Sequence, residues 1–258
     1  MTAAAEFTAA LDRIAALADA FAEAARDAAA QDPGLAQPVA GCPGWTALGL
    51  VDHLSGIHRW AAAALGSERA PRLEDRPERE APVEWYRASA AHLVAALRAA
   101  GPEAPAWTLW DGRTAAFWAR RQVHELAVHT FDLLEALGRA SAWQLPEDLA
   151  LDGIREVLDG FYPRQVRLGR SRGLPGVVRL EVTHDDGRPA ASLVLPAAVP
   201  RRGRRGAARH RDGQCTGGLP GAVGAPPASG HRARAGPGDP RGAAGSLGPA
   251  NGTEFRLT

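Results

Sequence analysis

Apolar residues in the first thirty positions recur three and four apart, at Phe7, Leu11, Ile14, Leu17 and Phe21, in a background of alanine. That spacing lays them along one stripe of an α-helix, and alanine adds the strongest intrinsic helix propensity. A helix is predicted over residues 3–30, ended by the Pro and Gly of "QDPGLAQPVAGCPGW". The same period returns three times. Thr46 is placed to cap a helix running to residue 65, and further helices are predicted over 83–99 and 114–137, the last closed by Gly138. "LPEDLALDGIREVLDGF" predicts a short fifth helix with Pro146 at its first turn. Each stripe has to be covered by another. Four long helices on short or moderate connections predict a mainly α protein built on an antiparallel four-helix bundle, whose facing helices can build a metal site inside the core.

After Gly173 the period changes to two. "VVRLEVTH", a turn "DDGR" and "PAASLVL" predict a β-hairpin that opens a small α+β domain. Beyond Pro200 the patterning fails, and Arg, Gly, Pro and Ala dominate with almost no large apolar residues. Three regions are therefore expected: a helical unit over 1–160, a partial α+β unit over 161–200 and a low-complexity basic tail over 201–258. The tail carries ten Arg against Asp212, Asp239 and Glu254, in a chain whose formal net charge is +1, so the first two regions together are acidic. A segment of that composition cannot bury enough surface to offset its ordering entropy and is expected to be disordered. It lacks regular RG repeats and interleaved aromatics, so nucleic acid is not an expected partner. No apolar run approaches the roughly 20 residues of a membrane span, and the N-terminus has no basic region followed by an apolar stretch and cleavage site. A cytoplasmic monomer or homodimer is expected.

The chemistry concentrates in "QVHELAVHTFD", residues 122–132. The zinc-protease signature places two histidines four apart on one helix face with a glutamate as base. Here His124 and His129 are five apart, about 140° around the axis, so both cannot address one ion. Glu125 and His129 are four apart and share a face. A third ligand has to come from another helix, and His53, flanked by apolar residues in "LVDHLSGIHRW", is the best candidate. Two histidines and one carboxylate would hold Zn2+ or another divalent metal and leave a coordination position open, as in a catalytic site. An ordinary Glu/His pair and a satisfied core histidine are the alternative reading. Asp132 lies three residues past His129 and either orients a ligand or is a solvated helix charge. Arg59 faces either the site or the surface, and Cys42 in "GCPGW" reads as a small buried side chain.

"VAGCPGWTALGLVDHLSGIHRWA" followed by "FWARRQVHELAVHTFDLLEAL" resembles the mycothiol-dependent maleylpyruvate isomerase family of actinobacteria, one of the DinB-like metal-binding four-helix bundles. The resemblance extends over residues 5–160, and the hairpin region looks like the start of that family's smaller C-terminal domain. It implies a metal, usually zinc, held by His53, Glu125 and His129. It implies mycothiol as cofactor, its thiolate bound to the metal and acting as nucleophile on a small electrophilic substrate, in isomerisation or in S-transfer. The isomerase also uses an arginine for its substrate, for which Arg59, Arg87, Arg120 and Arg121 are candidates. The family's C-terminal domain continues with an L-x-L-x-L-W-G-R segment that this chain lacks in its given frame. Back-translated with GC-rich codons, "HRDGQCTGGLPGAVGAPP" reads in the next frame as TGTASAPGDYLALWGRP, so the tail is expected to be a frameshifted translation and the α+β domain truncated. A zinc-dependent hydrolase and a non-catalytic metal-binding or stress-response bundle are the competing functions. The family resemblance does not choose the substrate.

Overall fold

The computed structural model describes residues 2–184, 188–195 and 253–257. Four long helices make the bundle: α1 (Ala3–Ala29), α2 (Ala47–Ala63), α3 (Pro82–Ala100) and α4 (Ala115–Ala136). All lie within a residue or two of the periodic segments. The hydroxyl oxygens of Thr2 and Thr46 accept from the Ala5 and Gly49 amides and so cap α1 and α2. Pro82 starts α3, where its missing N–H costs nothing. Gly138, at φ +69°, stops α4 in the left-handed region that favours glycine.

The stripe of α1 buries Phe7, Leu11, Ile14 and Phe21, while Ala18, Ala22 and Ala25 let neighbouring helices approach closely. Helix α1 packs against α3 and α4, and α2 packs against α3 and α4 in turn. The Phe21 and Tyr86 rings, 4.8 Å apart, join α1 to α3. Because α2 and α4 face each other across the core, side chains from both can meet.

The fifth helical segment runs further than its sequence predicts. Helix α5 (Glu147–Glu156), with Pro146 as its N-cap, continues through a π-helical turn at Val157–Phe161 into α6 (Tyr162–Arg167). The turn is anchored by aromatic contact: Trp110 lies edge-on to Phe117 and Phe161, and Phe117 to Trp118. A Cβ at Gly160 would stand 2.5 Å from the Trp110 ring, so only glycine lets the turn seat there.

Strands β1 (Val178–His184) and β2 (Pro189–Leu195) form the antiparallel hairpin, and β3 (Thr253–Leu257) pairs antiparallel with the other edge of β1. Apart from β3, the expectations of disorder and of a frameshift in 201–258 fall outside the described residues. Among the described residues no helix is long and apolar enough to cross a membrane.

Candidate metal centre

Helix α2 brings His53, and α4 brings Glu125 and His129, to one point in the bundle. His53 Nε2 lies 2.8 Å from Glu125 Oε1, and His129 Nε2 lies 3.5 Å from the same oxygen. The three ligand atoms are all within 4.8 Å of one another. Glu125 and His129 are almost wholly buried, and the His53 side chain is 8% exposed. Nitrogen and oxygen ligands stand about 2.0–2.2 Å from zinc, so neighbours around a tetrahedral ion lie roughly 3.3–3.6 Å apart. The His129 to Glu125 separation meets that spacing, whereas the His53 to Glu125 separation is that of a hydrogen bond. As a donor set, two imidazoles and a carboxylate suit zinc or a similar divalent ion.

The surroundings keep the imidazoles available. Burial pushes His53 well below the usual histidine pKa, and the His129 and Arg121 charges push it the same way, which favours the neutral form that ligates. Asp132 Oδ2 lies 2.9 Å from His129 Nδ1, the ring nitrogen other than the one nearest Glu125. Accepting the Nδ1 proton leaves Nε2 with its lone pair toward Glu125. Asp132 is itself hemmed in by the loop before α2: a Cβ at Gly41 would collide with its Oδ1, and Cys42 Sγ lies 3.6 Å from its Oδ2. Cys42, His129 and Asp132 thus lie together beside the trio, but the Cys42 sulfur is in a disulfide and is no metal ligand. The Trp45 ring stands edge-on to His53 at 4.9 Å.

The other sequence candidates lie elsewhere. His124, despite its place in the motif, turns to Asp152, 2.8 Å from its Nε2. Arg59 lies over the Trp85 ring and donates from Nε to Ser89 Oγ, with Glu74 3.8 Å away, so these contacts tie it to α3 and the connecting loop. Arg120 pairs with Asp152, and Arg87 is exposed. Arg121 alone among the four arginines touches the trio, through Glu125 Oε2.

Beside the centre is a polar pair that the sequence reading passes over. His58 Nδ1 lies 2.7 Å from Gln122 Oε1, both residues fully buried, and neither His58 Nε2 nor Gln122 Nε2 has a hydrogen-bond partner. Burial lowers His58 to a pKa of about 4, with Gln122 opposing and the His53 charge assisting. A histidine depressed in the folded state contributes stability that is complete above its unfolded pKa of 6.5 and is lost as pH falls toward 4. Up to about 3 kcal/mol is expected to go in that window. Urea unfolding of metal-free protein at pH 7 and pH 4.5 checks it: the fall is smaller in His58→Gln, and equal falls would acquit His58.

The model of the mycothiol maleylpyruvate isomerase N-terminal domain matches residues 7–134. Over these residues, just under half of the chain, the helical bundle is similar to that family's N-terminal domain. No curated protein and no solved structure matches the chain. The maleylpyruvate isomerase-type match takes in most of α1, all of α2 and α3 and nearly all of α4, and so contains His53, Glu125, His129 and Asp132. Helix α5, the π-helical turn and the hairpin lie beyond it.

Proposed function

We propose that this protein is a cytoplasmic, metal-dependent enzyme that uses mycothiol to isomerise, or to transfer a thiol to, a small electrophilic substrate. The observation that carries the reading is the convergence of His53, Glu125 and His129 from facing helices inside a bundle of the mycothiol maleylpyruvate isomerase type. When bound there, zinc or a similar ion would lower the pKa of a coordinated thiol toward neutrality and so favour the nucleophilic thiolate.

The chain's own residues prepare for that chemistry. His53 and His129 offer two ring nitrogens, and Glu125 offers one carboxylate oxygen, Oε1, between them. Three protein ligands leave room in the coordination shell for a thiol. Asp132 acts through His129 as a positioning residue, fixing the tautomer and the ring plane. Arg59 carries no contact to the three ligands, and Arg121 is engaged by carboxylates, so neither is assigned to the substrate.

Cobalt-substituted protein tests the reading. Adding mycothiol is expected to change the visible spectrum of the bound Co2+, while another low-molecular-weight thiol at equal concentration leaves it unaltered. No response to any thiol, with hydrolytic turnover, would favour a hydrolase using water as its nucleophile. No response and no turnover, with metal bound, would leave a non-catalytic bundle.

A further inference from the structure

Glu125 is not held by its own backbone alone. Arg121, one turn earlier on α4, contacts Glu125 Oε2 through Nη2 and places Nη1 3.0 Å from Glu156 Oε2. Arg121, Glu125 and Glu156 are all at most 5% exposed, so two carboxylates share one guanidinium out of water. The guanidinium carbon also lies 4.6 Å from the centre of the Phe161 ring. Glu156 ends α5 and Phe161 ends the π-helical turn, whose i→i+5 bonding brings residues five apart toward one face. Both can therefore reach Arg121.

A more exposed pair repeats the contact one turn earlier. Asp152, four residues before Glu156, accepts from Arg120 and lies 2.8 Å from His124 Nε2. Helix α5 thus docks on α4 through Asp152 and Glu156 at i, i+4. Gly153 permits the approach, since a Cβ there would come within 3.2 Å of His124 Nδ1.

We infer that Glu156, which lies outside the family-matched residues, is a positioning residue of the metal centre. It acts through Arg121. With one edge of the guanidinium taken by Glu156, Arg121 meets Glu125 at Oε2, and Oε1 is turned to His53 and His129. Charge works in the same direction. Glu156 balances Arg121 and leaves the Glu125 charge for a cation, whereas without it the guanidinium would neutralise Glu125 and repel the ion. The inference rests on the metal-centre reading of the proposed function.

Co2+ affinity by chelator competition, together with the visible spectrum of the cobalt form and the Tm of the metal-free protein, provides the test. Glu156→Gln is expected to weaken Co2+ binding about 10–100-fold, as loss of an outer partner does, and to shift the visible bands. In an Arg121→Met background the same change is expected to add little. Asp152→Asn, which loosens the outer docking pair, is expected to lower Tm but leave Co2+ affinity within about twofold, a change in affinity of under 0.5 kcal/mol. Should Glu156→Gln fail to fold, Glu156→Asp carries the test, since it withdraws the charge by one methylene and should still weaken binding. Wild-type affinity in the Glu156 variants, with only Tm reduced, would overturn the inference and leave Glu156 as a docking residue. Wild-type protein that binds no Co2+ would overturn the metal-centre reading itself.

Discussion

Replacing His129 with alanine is expected to abolish stoichiometric metal binding while the helical bundle stays folded. His129 is 1% exposed and faces Glu125 through Nε2 and Asp132 through Nδ1. Its removal leaves two ligands, one from each helix, with no third to close the site. The loss should exceed the roughly 10–100-fold that follows removal of an outer partner. The control is His124→Ala, a change of the same chemistry on the same helix. His124 turns to Asp152, so this variant should keep its metal affinity. Titration with Co2+ and circular dichroism of both variants would decide. Loss of metal in His124→Ala and retention in His129→Ala would contradict the ligand assignment.

The largest effect on stability is expected from Arg121→Met. The substitution keeps an unbranched apolar side chain beside Phe161 but strips the shared cation from Glu125 and Glu156, which are 2% and 3% exposed. Breaking a buried pair by removing one partner costs about 3–5 kcal/mol, because the remaining charge is left uncompensated. Here two carboxylates are left, and repulsion and burial would both raise their folded-state pKa. A carboxyl whose folded pKa lies above its unfolded value opposes folding at high pH, and the penalty is relieved as pH falls through the folded pKa. The metal-free variant should therefore recover part of its deficit on acidification from pH 7.5 to 5.5. Urea unfolding at both pH values would show it. A deficit under about 1 kcal/mol at pH 7.5, as for an exposed pair, would contradict the buried network.

The bundle was legible in the sequence because each long helix carries its own apolar stripe and its own stop signal, both local properties. The trio was legible for a related reason. Spacing five against spacing four decides which side chains share a helix face, and that arithmetic separates His124 from the Glu125 and His129 pair before any fold is known. Asp132 was ambiguous, since an aspartate at i+3 serves a solvated surface as readily as an imidazole. Its role depends on the Gly41 loop that closes over it. Glu156 gave no signal alone. Its importance depends on how α5 lands on α4 and on a π-helical turn that brings Phe161 under Arg121, and no short-range pattern reports either. The one available clue was complementarity: Asp152 and Glu156 at i, i+4 match Arg120 and Arg121 on the preceding helix. Arg59 drew attention by its proximity in sequence to His53, yet six residues along α2 carry it to Trp85 and Ser89.

Metal analysis of the wild-type protein purified without chelators tests the central claim most directly. About one equivalent of a divalent metal per chain is expected, falling to background in His53→Ala, since a three-ligand site cannot hold its ion on two. Less than about 0.2 equivalents, unchanged by His53→Ala, would contradict the account.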